Sequence, residues 1–332
     1  MKIALITTTI QVPRVLFLYG TYARTLPDGF QMFVAGDLKT PNLGEGPWVY
    51  LSPEQQQEDW KTSRLLPWNS ITRRNIALLE ALKWGADVIV TVDDDNIPVN
   101  PDYFDYIQLA LEHPFSGLRA ASPSGWFDVG QLVFPSASHR GFPAEKIAPP
   151  ALNPVVGAAV GVCAGIVLGD PDISAVTRIA THPTVHVTSE VLRSGVVVDP
   201  SAVTVFNTQN TAVLRKFAPA LLCCPQLGRF DDIYASLVAQ RVMRDESYCV
   251  HFGQPFVYQQ RNNHNLIQDL KDEVFGMEHI LQFAEVLDHI LVFERQSHPV
   301  RQIYETIRHI EWMPDGVYEL AMAWMDDVEA IL

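Results

Sequence analysis

Positive charge is under-represented in this chain: 24 Lys and Arg stand against 38 Asp and Glu, for a net charge of −14 at pH 7. Affinity for a phosphate backbone comes from clustered lysine and arginine, and no such cluster occurs, which excludes non-specific nucleic-acid binding. An anionic ligand would therefore be met locally, by a metal or by a few chosen arginines. Cysteine is scarce as well. Cys163, Cys223, Cys224 and Cys249 show no C-x-x-C spacing, and the adjacent pair sits in an apolar stretch, so buried reduced thiols are expected rather than disulfides or zinc ligands. The most apolar run, "VVGAAVGVCAGIVLG" at 155–169, is too short and glycine-rich for a membrane span of about 20 residues, and it reads as core strand and loop. "MKIALITTTI" enters a strand pattern with no secretory cleavage site, so a soluble, cytoplasmic protein is expected. The G-x-G-x-x-G, P-loop, G-x-S-x-G and H-E-x-x-H patterns are also missing, which weakens dinucleotide oxidoreductase, NTPase, serine hydrolase and zinc protease readings.

What is present describes a globular chain. Hydrophobic residues make up 48% and charged residues 19% of 332 positions, enough apolar material for a sizeable core. In the first half, strand-like and helix-like segments alternate. "KIALITTTI", "QMFVAGD" and "DVIVTV" read as strands, while "NSITRRNIALLEALKWGA" reads as a helix with Asn69 or Ser70 as N-cap and Gly85 as stop. This alternation predicts an α/β fold with a mostly parallel central sheet flanked by helices and ligands beyond the carboxyl ends of the strands. "PDYFDYIQLALEHP" adds a helix, and residues 114–160, rich in Gly, Pro and Ser, read as loops that wall a cleft. In "SGVVVDPSAVTVFNTQNTAVLRKFAPALL" a strand-like run meets a polar turn and then a helix. A helical extension over 269–332 is expected to pack on a catalytic domain spanning 1–268.

The chemistry concentrates in carboxylates. Val88 to Val92 form a short apolar run that ends in Asp93, Asp94 and Asp95. Two unit charges about 4 Å apart repel by about 4 kcal/mol at an effective dielectric of about 20, so such a triplet needs a cation or surplus donors. If the strand persists, Asp93 and Asp95 share a face and can chelate a hard divalent ion, with Asp94 opposite; the competing reading is an acidic turn. Thr8 and Asp37 fall at the ends of neighbouring strands. Asp231 and Asp232, in "GRFDDIY", open a helix whose N-terminus favours negative charge, so capping competes with a role in activating an acceptor hydroxyl. Arg229 beside them could pair with them or meet a phosphate. Arg73 and Arg74 lie near the start of the helix preceding the triplet, as solvated side chains or as diphosphate ligands. His251 and His264 follow the second carboxylate pair, where a late metal ligand could arise.

Taken together, "NSITRRNIALLEALKWGADVIVTVDDDN", "HRGFP", "GDPDISAV", "FNTQNTAVLRKFAPALL", "GRFDDIY" and "GQPFVY" resemble, in order, the motifs of the reversibly glycosylated polypeptides, which include the plant UDP-arabinopyranose mutases, and of the STELLO-type glycosyltransferases. The resemblance implies a GT-A fold, a nucleotide-sugar ligand (UDP-sugar favoured), Mn2+ or Mg2+ at Asp93 and Asp95, and Asp232 as the preferred catalytic carboxylate. Arg140 in "HRGFP" matches an arginine that is glycosylated in the plant proteins, although Ile147 stands near the place of their second arginine. Gln259 occupies the position of a mutase histidine, leaving His264 or His251 as substitutes. The expected activity is glycosyl transfer from a nucleotide-diphospho-sugar to a hydroxyl of an unidentified acceptor. Asn207 and Asn210 would bind hydroxyls and Arg73 or Arg74 would assist the leaving group; a pyranose/furanose mutase is the alternative. A homodimer is left as an open expectation.

Overall fold

The structure is a computed structural model of the 332-residue chain and describes all residues except 27–28, 261–264 and 293–296. Its β-branched runs become strands because their neighbours cover them on both faces. Ile3–Thr8 and Val88–Val92 lie side by side and parallel, with Phe30–Ala35 and then Trp48–Leu51 continuing the parallel set outward. Ala4, Ile6 and Ile89 face one apolar cluster and Ile3, Leu5, Val88 and Val90 face the other. Burial on both sides explains why these strands read as continuous apolar stretches without polar alternation.

Beyond Val88–Val92 the sheet is mixed. Asn210–Leu214 runs antiparallel between it and Val160–Gly169, which in turn pairs in parallel with Cys249–Gln259. Val196–Val198, Phe115–Ala121 and Ala151–Ala158 complete one edge, and Ile97–Pro98 pairs with Cys249–Gln259, giving an 11-stranded sheet among the described residues. The mostly parallel character expected of the sheet is therefore unbroken only in its first four strands, and beyond them parallel pairs, Val160–Gly169 with Cys249–Gln259 and Val196–Val198 with Phe115–Ala121, alternate with antiparallel ones.

The helix preceding the triplet forms as its sequence predicts. Ser70 accepts a hydrogen bond from the Thr72 amide, a 3-10 turn Ile71–Arg73 leads into Arg74–Trp84, and Gly85 ends it at φ 83°, a left-handed conformation that glycine adopts without a Cβ clash. Two other segments differ from the sequence reading. The stretch after the N-T-Q-N turn is a strand, Asn210–Leu214, followed only by a 3-10 segment, Arg215–Ala220, which contains Pro219. Within 114–160, Phe115–Ala121 and Ala151–Ala158 are antiparallel partners. Pro154 and Gly157 sit on the outermost strand, where a missing amide donor is tolerated, so composition disguised an edge as a loop.

The C-terminal helices Leu266–His289, Pro299–Ile307 and Val317–Glu329 share the main core: Phe283, Leu287, Ile303, Leu320 and Trp324 belong to the same apolar cluster as Ile6 and Ile233. Trp324 Nε1 donates to the Pro219 carbonyl at 2.8 Å, and Asp327 accepts from the Thr62 amide and hydroxyl. The 268/269 boundary falls within the first turn of Leu266–His289. No helix among the described residues is long and apolar enough to cross a membrane.

Candidate active site

The strand Val88–Val92 stops before the aspartates. Asp93 to Asn96 form a turn closed by the Asn96 amide on the Asp93 carbonyl, and the Gln209 carbonyl accepts both the Asp93 amide and Asn96 Nδ2 (2.7 Å). The turn achieves the separation that strand alternation would have given. Asp93 and Asp95 line one cavity of about 290 Å³, and Asp94 lines a second of about 290 Å³; Ile71 borders both.

In the first cavity Arg74 Nη2 contacts Asp93 Oδ1 at 2.5 Å, while its Nη1 donates to the Thr208 carbonyl and hydroxyl. Burial opposes the Arg74 cation, but Asp93 outweighs it and holds the pKa above the ordinary arginine value. Asp95 accepts from Gln259 Nε2 at 2.9 Å, and Gln259 Oε1 accepts in turn from Gln209 Nε2. The opposite wall carries Arg140, whose Nε donates to Asp172 Oδ2 (2.6 Å) and whose Nη2 donates to Asp232 Oδ1 (2.9 Å). Asp232 Oδ2 also accepts from the Thr208 amide at 3.0 Å. Asp231 accepts the Asp232 amide at 2.8 Å; burial first, and the Asp232 charge second, push its pKa up to about 7. Arg229 reaches Glu273, Asp269 and Asp172 at 3.1, 3.4 and 3.4 Å.

The second cavity is lined by Thr8, Thr9, Asp37, Arg73 and Asp94, with Ile10, Leu38 and Ile71 exposed on or beside its rim. Thr9 Oγ1 donates to Asp94 at 2.5 Å; burial nevertheless raises the Asp94 pKa. Asp37 accepts from the Leu38, Asn69 and Ser70 amides, so its carboxylate fixes the loop that starts the helix. Arg73 is also engaged locally. Its guanidinium donates to Ser63 and to the carbonyls of Leu66 and Pro67 and stacks on Trp68 at 3.5 Å, and burial lowers its pKa to about 10. Of the two arginines, Arg74 is the one that meets the triplet.

Asn210 lies in the sheet, donating to the Pro255 carbonyl and accepting from Tyr103, and is absent from both cavity walls. Asn207 borders a separate 60 Å³ cavity, 3.4 Å from His139. His251 is buried beside Cys163 Sγ at 3.5 Å, away from the first cavity, and burial lowers its pKa to about 4. His264 lies outside the described residues. All four cysteines are free and buried. Sequence reasoning missed Asp172, Thr208, Gln209 and Glu273 as site residues. Asp172 stood inside the quoted "GDPDISAV", whereas Glu273 gave no signal beyond its place in a helical pattern.

Two hard oxygen donors, Asp93 and Asp95, on one cavity wall suit a cation that keeps several waters and ligand oxygens, as Mg2+ and Mn2+ do. Among the described residues no group of three His, Cys, Asp or Glu comes together as a full protein cage.

No family model matches the chain, and no curated protein matches it. Solved structures similar to it include glucosyl-3-phosphoglycerate synthase from Mycobacterium tuberculosis in complex with Mn2+ and UDP-glucose (12% identity, 88% of this chain, 81% of that chain, TM-score 0.40). The mannosyltransferase PcManGT from Pyrobaculum calidifontis in complex with GDP-Man and Mn2+ is similar at 12% identity, covering 99% of this chain and 73% of that chain, with a TM-score of 0.40.

Proposed function

We propose that this chain is a glycosyltransferase of GT-A type that uses a nucleotide-diphospho-sugar, with a UDP-sugar favoured, and transfers the sugar to an acceptor hydroxyl. The observation that carries the reading is the 93–96 turn at the carboxyl end of a parallel strand, with Asp93 and Asp95 on one cavity and Asp94 on the next. A nucleoside placed against Thr8, Ile10 and Ile71 would extend its diphosphate past the turn into the chamber that holds Arg74, Arg140 and the second carboxylate pair.

Asp93 and Asp95 would hold Mn2+ or Mg2+, which when bound neutralises charge on the departing nucleoside diphosphate. Arg74, fixed by Thr208, keeps the Asp93 carboxylate in place and adds a cation beside that leaving group. Of the second pair, Asp231 is the better proton acceptor, because a pKa near 7 matches a general base working at neutral pH. Asp232, tied to Arg140 and Thr208, positions the wall. The acceptor proton passes to Asp231 as the acceptor oxygen bonds to the anomeric carbon. The bond from that carbon to the diphosphate breaks, with its electron pair going to the leaving oxygen.

A thermal-shift panel of UDP, GDP, CDP and dTDP sugars with and without Mn2+ tests the reading, since a ligand of the native state raises its apparent stability. A Mn2+-dependent shift that disappears in the Asp93→Asn/Asp95→Asn double variant is expected. No shift with any nucleotide sugar on folded protein would refute it. The mutase alternative shares this donor site, and an isomeric nucleotide sugar formed without acceptor would replace the transferase reading.

A further inference from the structure

Five carboxylates and three guanidinium groups line the first cavity among the described residues. Each guanidinium already faces carboxylates. Asp172 holds two of them, taking Arg140 Nε at 2.6 Å on Oδ2 and Arg229 Nη2 at 3.4 Å on Oδ1. It is itself 8% exposed, and its backbone amide is directed to Gln209 Oε1 at 3.3 Å, so its place on the wall is fixed. Arg229 is further matched by Asp269 and Glu273. A divalent cation and the diphosphate of a donor would cancel each other, leaving the acceptor to enter a chamber of net negative charge. Arg140, matched by Asp172 and Asp232, has no surplus positive charge to offer an anionic acceptor.

We propose that Asp172 is a specificity-determining residue that closes the site to phosphorylated or carboxylated acceptors, so that the acceptor is an uncharged polyol or glycoside. The inference rests on the transferase reading. It treats Asp172 as a repulsive element, the part of specificity that acts against the wrong partner.

The test uses the full chain with Mn2+ and the donor that gives a thermal shift. Release of nucleoside diphosphate is followed with matched acceptors: glucose and glucose 6-phosphate, glycerol and glycerol 3-phosphate, glucose and glucuronate. The uncharged member of each pair is expected to raise kcat/KM at least tenfold more than its charged counterpart. A charged member that equals or exceeds its neutral partner overturns the inference, as does a panel in which no uncharged compound stimulates turnover although the donor binds. Asp172→Asn, which keeps an oxygen for Arg140 Nε, is expected to narrow the neutral-to-charged ratio about tenfold while retaining the donor-induced shift. An unchanged ratio in that variant removes Asp172 from the account, and the comparison on the unsubstituted chain decides the acceptor class if the variant does not fold. Absence of any donor-induced shift falls instead on the transferase reading and takes this inference with it.

Discussion

Replacing Asp231 with Asn should make the protein more stable and less active at the same time. Burial and the neighbouring Asp232 charge raise the Asp231 pKa from 3.8 to about 7, so above pH 7 the fold carries a carboxylate that it would rather hold protonated. At about 1.4 kcal/mol per tenfold change in proton affinity, this rise corresponds to at most about 4 kcal/mol of lost stability at pH 8. The sign follows from a raised folded pKa: the folded state binds the extra proton, so this group's penalty is absent below pH 4 and grows as pH rises to 7. Asn removes the charge and keeps an oxygen for the Asp232 amide. Thermal melts at pH 8 should therefore show a higher midpoint for Asp231→Asn, with the gain shrinking towards pH 5. Donor turnover in the parent should be half-maximal near pH 7 and fall about tenfold per unit below it, while the variant loses ~10²-fold or more and this acidic limb. A variant with unchanged melting at pH 8 and the parental pH profile would refute both the buried charge and its role as base.

Arg74→Met should cost about 3 kcal/mol by leaving the Asp93 carboxylate and the Thr208 carbonyl without their guanidinium partner, and the Arg74→Met/Asp93→Asn double variant should recover part of that loss in denaturant melts. Gln259→Leu removes the hydrogen bond that orients Asp95 and should weaken Mn2+ binding about tenfold or more, as read by metal titration of the donor-induced thermal shift. Trp324→Ala should destabilise by about 3–5 kcal/mol because the indole is fully buried and bonded to Pro219, which tests whether the C-terminal helices unfold with the sheet in one transition.

How much of this was legible in the sequence depended on whether a signal was local. The strand before the triplet and the capped helix before it are written in consecutive residues, and they form where Ser70, Gly85 and the Val88–Val92 run place them. Asn210–Leu214 was obscured because "NTAVL" is a strand only through partners more than 40 residues away on either side. In the site, the residue types were visible but their pairings were not. Arg73 and Arg74 are adjacent in sequence, yet one turns to Trp68 and the other to Asp93. Similarly, Asp231 and Asp232 differ because Arg140, 92 positions away, reaches only the second directly.

The turn at Asp93 to Asn96 separates two chambers that share Ile71, and on the proposed reading this makes the donor a bidentate ligand. Neither the nucleoside nor the sugar alone would be held as firmly as the two joined, because a covalent link gives the second contact a high effective concentration once the first is made. The reaction cuts that link. Bond breaking would therefore free the sugar from that shared hold, while the nucleoside diphosphate, which itself spans the turn, would keep its contacts in both chambers and be the slower product to leave.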